Sequence, residues 1–243
     1  MKQGIFTITE NTPLTHAVYR MRLAGDTSAI TAPGQFVNIR LDGFYLRRPI
    51  SVCDCVPGEL TILYKVVGSG TEAMSKMSCG EQLDLLTGLG NGYDRTLSGD
   101  RPLLLGGGVG VPPLYMLAKE LIREGKQVSV VLGFNKQDEV FYEEEFRALG
   151  ATVYVATADG SYGTRGFVTD VMQDLSYTYF YTCGPEPMLK AVYRASSTSG
   201  QFSFEERMGC GFGACMGCTC KTKYGNKRIC KDGPILKREE IIW

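Results

Sequence analysis

LLLGGGVGVPPLYMLAKELIREG, Leu103 to Gly125, carries a change of rhythm that sets the architecture of the chain. Three leucines read as a buried strand, glycines at 106, 107, 108 and 110 as a tight turn, and Leu114, Leu117, Ala118 and Leu121 recur at helical spacing. A strand, a glycine turn and a helix in that order open a βαβ unit. The helix N-terminus offers unpaired N–H groups and a positive dipole end to the turn, which suits an anionic phosphate. The G-x-G-x-x-G fingerprint is incomplete, because counting from Gly108 its last position is Pro113, a residue well tolerated in a first helical turn.

Downstream, the strand QVSVVLGF, the helix-like EEEFRALG, the strand TVYVATA, the helix-like GFVTDVMQDL, the strand YTYFYTCG and the helix-like PEPMLKAVYRAS follow in turn. This alternation predicts a parallel sheet with helices on its faces over residues 100–200. Upstream, over residues 1–99, extended runs such as HAVYRMRL, FVNIRL and LTILYKVV are separated by Pro33-Gly34, Pro57-Gly58 and further glycines. In the first run Ala17, Tyr19, Met21 and Leu23 share one face, and Arg20 and Arg22 the other. Many short strands without a convincing helix predict a small antiparallel barrel. Past residue 200 the alternation stops and a tail rich in cysteine and glycine, 201–243, begins. The expected fold class is β + α/β: an N-terminal antiparallel β-barrel, a parallel-sheet domain and a C-terminal cysteine module.

Lys plus Arg and Asp plus Glu both count 26, so no basic excess draws the chain to nucleic acid or anionic lipid. The opening MKQGIFTITENTPL lacks a charged segment followed by a long apolar core, and no later apolar run reaches membrane-spanning length. A cytoplasmic protein without membrane contact is expected. Nine cysteines in a reducing compartment point to metal or redox chemistry more than to disulfides, above all because five crowd into the tail.

In that tail CGFGACMGC gives Cys210-x4-Cys215-x2-Cys218, and Cys230 follows after eleven intervening residues. The spacing matches the plant-type [2Fe–2S] ligand pattern. A loop must curl round such a cluster so that thiolates converge, and Gly209, Gly211, Gly213 and Gly217 let the backbone come close. A zinc site is the alternative for four thiols, but zinc ribbons pair two C-x2-C knuckles and only one is present. Cys220 is a fifth thiol and is expected to be a non-ligand.

The barrel segment holds LRRPISV, where Arg48 is placed to reach a diphosphate and Ser51 adds a hydroxyl. LYKVVGSGT ends at Gly70-Thr71, whose backbone amides suit further phosphate oxygens. Either stretch alone also fits a solvated strand edge. Cys183 in YTCGPEPM fits a buried strand-end cysteine equally well. After the second strand of the α/β segment, Lys136 suits a 2′-phosphate, whereas Asp138 or Glu139 suits a free ribose hydroxyl. His16, the only histidine, falls on an expected strand and has no catalytic setting.

Taken together, R-P-I-S followed by G-S-G-T resembles the FAD site of the ferredoxin reductase superfamily. The resemblance implies FAD at Arg48, Pro49, Ile50 and Ser51, along Leu63, Tyr64 and Lys65, and at Gly70 and Thr71. Ile50 departs from the aromatic residue usual there. Gly107, Gly108 and Gly110 of the glycine turn are expected to hold the phosphates of the nicotinamide cofactor, and the resemblance implies that Cys183 and Gly184 lie on the nicotinamide side.

The order of RRPIS, YKVVGSGT, LLLGGGVGVPP, YTCGPEPM, the cysteine cluster and CKDGPILKREEIIW resembles, over essentially the whole chain, the electron-transfer subunits of NAD-dependent (class 1B) dihydroorotate dehydrogenase. That family implies a separate FMN-containing catalytic subunit that oxidises dihydroorotate in pyrimidine biosynthesis, assembled as a heterotetramer with two copies of each subunit. It implies electron flow through a [2Fe–2S] cluster on Cys210, Cys215, Cys218 and Cys230 and FAD to NAD, the preferred nicotinamide cofactor. No residue of this chain is then needed for the orotate chemistry itself. The nearest rival is a subunit of an NADH-dependent ferredoxin:NADP oxidoreductase or sulfide dehydrogenase, in which the first cluster cysteine is often aspartate. A more distant one is a zinc-bearing binding module.

Overall fold

In the computed structural model, which describes all 243 residues, the apolar alternation of the N-terminal part becomes six antiparallel strands. These are β1 (Lys2–Pro13), β2 (Val18–Ala24), β3 (Phe36–Arg40), β4 (Arg48–Val56), β5 (Glu59–Lys65) and β6 (Gln82–Leu89). They close into a barrel in the order β1-β2-β5-β4-β3-β6, which leaves no sheet edge unpaired. Inward residues such as Phe6, Met21, Leu23, Ile39 and Ile62 fill its interior. His16 is exposed in the turn before β2, not on a strand.

Between β5 and β6 stands a helix that the sequence pattern hides, α1 (Ser69–Ser75). It has only seven residues, with a glycine at its N-cap and another in its first turn, so no apolar stripe announces it. The Thr71 hydroxyl closes its first turn, accepting from the Val67 and Gly68 N–H groups at 3.0 and 3.3 Å.

The second half holds β7 (Pro102–Gly107), α2 (Pro112–Arg123), β8 (Ser129–Phe134), α3 (Glu143–Ala148), β9 (Thr152–Thr157), β10 (Thr164–Arg165), α4 (Val168–Met172), β11 (Tyr179–Cys183) and α5 (Glu186–Ala195). The central strands are apolar on both faces because helices cover both sides. Leu114, Leu117, Ala118 and Leu121 are fully buried beneath α2, as their spacing requires.

The sheet runs on past residue 200, where the sequence rhythm stops. β12 (Gly200–Ser203) pairs parallel to β11. The cysteine segment then forms a hairpin of β13 (Thr219–Thr222) and β14 (Gly225–Arg228), followed by α6 (Ile229–Asp232). The chain returns to the sheet as β15 (Ile235–Lys237), antiparallel to β12. The full order is β10-β9-β8-β7-β11-β12-β15. From β7 the chain first builds outward through β8 and β9 and then crosses to β11 on the other side. A crevice therefore opens at the strand ends between β7 and β11.

No helix is long and apolar enough to cross a membrane.

Candidate functional site

A cleft of about 1030 Å³ lies where the barrel, the sheet and the cysteine segment meet. Arg48 and Pro49 from the start of β4 line one wall, and Gly184 to Glu186 beyond β11 line another. Phe204 to Met208, Cys220 of β13 and Trp243 complete it. The only tryptophan packs edge-on against Phe202 and Tyr193, with centroids 5.4 and 5.3 Å away, and so fixes this wall.

The two adjacent arginines have separate tasks. Arg47 clasps Asp84 of β6 with two guanidinium nitrogens, at 3.1 and 3.0 Å, and also donates to the Asp84 carbonyl oxygen at 2.9 Å. Burial pushes the Asp84 carboxyl up, but hydrogen bonds from Arg47 and Gln3 and the Arg47 charge outweigh it and hold the group below its ordinary range. Arg48 has no carboxylate partner. Its guanidinium lies over the Phe44 ring at 4.8 Å and directly against Gly70, where any Cβ would strike it. The two motifs of the barrel are thus in contact. Gly70 and Thr71 are buried, and the Thr71 hydroxyl is occupied by its own turn, which leaves the backbone as the part able to meet a ligand.

Other expected residues stand further back. Ile50 packs against the barrel core, and Ser51 pairs with Phe36 across the β3–β4 ladder. Leu63 faces the core shared with the α/β half, while Tyr64 points into the barrel and donates to Asn11 Oδ1 at 2.8 Å. Lys65 is exposed at the end of β5.

The glycine turn and the Cys183-Gly184 turn meet backbone to backbone. Gly106 pairs with Cys183 across β7 and β11. A Cβ on Gly110 would strike the Cys183 carbonyl, and one on Gly184 would lie 3.2 Å from the Gly107 nitrogen. Gly108 has φ 51°, the left-handed conformation that glycine adopts at no steric cost. Cys183 is half-buried, and desolvation outweighs a hydrogen bond with Ser203 to push its thiol up to about 12. It is a neutral group beside the crevice. Past the end of β8, Lys136 is paired with Asp138 at 2.8 Å, and Glu139 accepts from the Asn135 side chain at 2.8 Å.

In the cysteine segment the four expected ligands stand as two pairs. The Cys210 N–H donates to Cys215 Sγ, and the Cys230 N–H to Cys218 Sγ, both at 3.4 Å. Further backbone N–H groups point at sulfur: Ala214 and Cys215 donate to Cys210 Sγ at 3.3 and 3.4 Å. Burial pushes the Cys210 thiol up, but the N–H groups of Cys215, Phe212 and Ala214 and the Cys215 thiol bring it down to about 6. Burial and the neighbouring Cys218 thiol raise Cys230 to about 12. Paired thiols ringed by N–H donors suit a binuclear cluster, which spreads its ligands over two irons.

Three supports of this loop escape a reading of spacing. Met216 adopts φ 59° between the second and third cysteines, a strain that a non-glycine residue seldom carries. Arg228 donates to the Gly213 carbonyl at 2.9 Å and pairs with Asp232 at 3.0 Å, tying the loop to α6. Asn38 of β3 donates to the Cys210 carbonyl at 3.1 Å. None carries a sequence signature, because the left-handed turn at Met216 and the contacts of Arg228 and Asn38 arise only in the fold.

Residues 205–242 match the model of the iron–sulfur cluster binding domain of dihydroorotate dehydrogenase B, and residues 104–194 match an oxidoreductase NAD-binding domain. The chain is 45% identical to a dihydroorotate dehydrogenase B (NAD(+)) electron transfer subunit of Fusobacterium nucleatum, over 99% of both chains. It is 44% identical to the protein of the same description from Geobacillus sp. (strain WCH70), over 100% of this chain and 99% of that one. Among solved structures it resembles one from work on an NADH-dependent reduced ferredoxin-NADP oxidoreductase, with a TM-score of 0.89 at 30% identity over 99% of this chain and 90% of the other.

Proposed function

The chain belongs to the family of dihydroorotate dehydrogenase B (NAD(+)) electron transfer subunits, and on that premise we propose that it relays electrons from a dihydroorotate-oxidising partner, through a [2Fe–2S] cluster and FAD, to NAD+. It is an oxidoreductase component with iron–sulfur-binding and NAD-binding domains. When bound, the flavin supplies the step between one-electron exchange with a cluster and two-electron hydride exchange with nicotinamide.

Arg48 binds the FAD diphosphate, supported by its freedom from any carboxylate and its contact with Gly70. Pro49, Ile50 and Ser51 carry the flavin edge along β4, Leu63 to Lys65 border it from β5, and the Gly70 and Thr71 amides close the phosphate end. Gly107, Gly108 and Gly110 hold the NAD pyrophosphate at the start of α2, and Cys183 and Gly184 orient the nicotinamide. A thiol kept neutral there adds no charge that would oppose hydride movement. The Lys136–Asp138 pair favours NAD, because the lysine is already neutralised where a 2′-phosphate would need it.

Cys210 and Cys215 ligate one iron of the cluster, and Cys218 and Cys230 the other, while the surrounding N–H groups stabilise the negative charge of the sulfurs. Cys220 lies in the cleft wall and is no ligand. The single observation that carries this reading is the cleft, which brings Arg48, Gly184 and the β13 hairpin of the cysteine segment to one place.

An electron transfer subunit needs a catalytic partner. We infer an FMN-containing subunit, a cytoplasmic complex with two copies of each chain, and no part for this chain in the orotate chemistry. A role in an NADH-dependent ferredoxin:NADP oxidoreductase is the second reading, favoured by the likeness of folds. Cys210 and the higher identity to the dihydroorotate family weigh against it. The deciding experiment mixes the anaerobically purified chain with an FMN-containing dihydroorotate dehydrogenase subunit from the same source, dihydroorotate and NAD+. NADH formation that requires both proteins supports the proposal; its absence from a chain whose spectrum holds FAD and cluster shifts the assignment to the ferredoxin-linked reading.

A further inference from the structure

Asn38 lies on β3, opposite Pro49 of β4 and so one strand behind the wall of the cleft. Its side chain reaches across 172 positions of sequence to donate from Nδ2 to the Cys210 carbonyl oxygen at 3.1 Å. The next residue, Gly211, has φ 78°, and a Cβ there would run into Asn38 Nδ2. The cysteine loop therefore lies directly on the carboxamide of a barrel residue, in a contact that admits no side chain at position 211.

The residue is only 1% exposed, and its Oδ1 is buried without any hydrogen-bond partner. An orphaned acceptor carries the full cost of its desolvation, whereas an apolar side chain of the same size would fill the space without it. Stability alone therefore gives a weak reason for asparagine at this position. Position gives a better one. The Nδ2 bond is a direct link between the backbone of the first cluster cysteine and the strand ladder that carries Pro49.

We propose that Asn38 is a positioning residue that locks the Cys210–Gly211 peptide to β3 and so sets the placement of the cluster relative to the flavin. The proposal rests on the reading of Cys210 as a cluster ligand and of Arg48 to Ser51 as the FAD strand. Two physical effects follow from the bond. It fixes the turn whose Ala214 and Cys215 N–H groups point at Cys210 Sγ. It also offsets the negative end of the Cys210 carbonyl, so its removal makes the cluster harder to reduce.

The test compares the full chain, purified anaerobically, with Asn38→Leu, which keeps the size but removes donor and orphan together, and with Asn38→Ala, which removes both and leaves the space open. FAD and iron contents, thermal melting, the EPR spectrum and midpoint potential of the cluster, and stopped-flow reduction by NADH are measured. NADH delivers two electrons to FAD as hydride, and the cluster accepts one of them, so the two phases are read separately. In Asn38→Leu the expected result is unchanged FAD content, melting and flavin reduction, with an altered EPR spectrum and a lower cluster potential. Transfer from flavin to cluster should slow roughly tenfold, the order expected when an outer partner of a metal ligand is lost. Wild-type potential, EPR spectrum and transfer rate in either loaded variant overturn the proposal. If neither variant folds with FAD and iron, Asn38 is structural and the proposal is equally overturned. A wild-type chain that lacks FAD or cluster overturns the underlying cofactor reading, which separates that failure from this one.

Discussion

Arg47 and Arg48 are identical in charge and adjacent in sequence, yet only one is available to a ligand. Arg47 is committed to Asp84 in a two-pronged ion pair that holds β6 to the start of β4, whereas Arg48 lies over Gly70 with no acid to satisfy it. Loss of one charge-assisted contact costs about 2 kcal/mol, or roughly a thirtyfold weaker affinity. Arg48→Ala should therefore lose FAD during gel filtration while keeping its iron. A fully flavinated variant would remove Arg48 from the phosphate site. Cys215→Ser tests the other cofactor. Serine oxygen is a poor substitute for thiolate in an iron–sulfur site, so the variant should lack the visible cluster absorbance and NAD+-linked turnover but retain its flavin. Loss of the flavin as well would mean that the cluster loop supports the barrel.

At the scale of elements, the glycine turn after β7 works by close approach. Gly110 lies so near the Cys183–Gly184 peptide that even one methyl group must displace it, and overpacking of this kind costs about 1–3 kcal/mol. Gly110→Ala should raise the NADH concentration needed to bleach the flavin while leaving FAD bound. An unchanged titration would show that the two turns do not jointly shape the nicotinamide site. This turn was legible in the sequence because strand, glycines and helix each follow a local rule: three leucines, a tight turn and the stripe from Leu114 to Leu121 beneath α2. The barrel strands were legible for the same reason. The helix α1 was not, since its glycines and short length suppress any periodicity. The pairing of β12 with β15 was hidden too, because Ile235 to Lys237 is only three residues long and finds its partner across the whole cysteine segment. Asn38 was invisible for a related reason: a buried amide that bonds a backbone carbonyl 172 residues away leaves no pattern along the chain.

Across the whole molecule the three parts share cores. Met116 of α2 packs among the barrel residues, and Phe36 and Leu89 of the barrel join Phe202, Cys218 and Ile229 in a second core. Asn91, just past β6, binds the tail from three atoms: its N–H to the Gly233 carbonyl at 2.7 Å, its side-chain amide to the Ile235 carbonyl at 2.8 Å and its side-chain oxygen to the Ile235 N–H at 3.1 Å. Such sharing keeps barrel, sheet and cluster loop in one geometry, which a relay between bound cofactors requires. Lys119 of α2 tests that linkage at β4, where its ammonium meets both oxygens of Asp54 at 2.9 and 2.7 Å. The two side chains are 17% and 23% exposed, so solvent screens the pair only in part. Lys119→Met keeps the aliphatic stem but leaves the carboxylate alone against the helix, at a cost of about 1–2 kcal/mol after allowance for that screening. Melting should fall by about 2–8 °C for a chain of this size. Adding Asp54→Leu should recover part of the loss, because the double change removes the stranded charge as well. If the single variant melts like the wild type and reduces its flavin with NADH at the wild-type rate, the contact between α2 and the barrel rests on apolar packing around Met116 and the ion pair has no share in it.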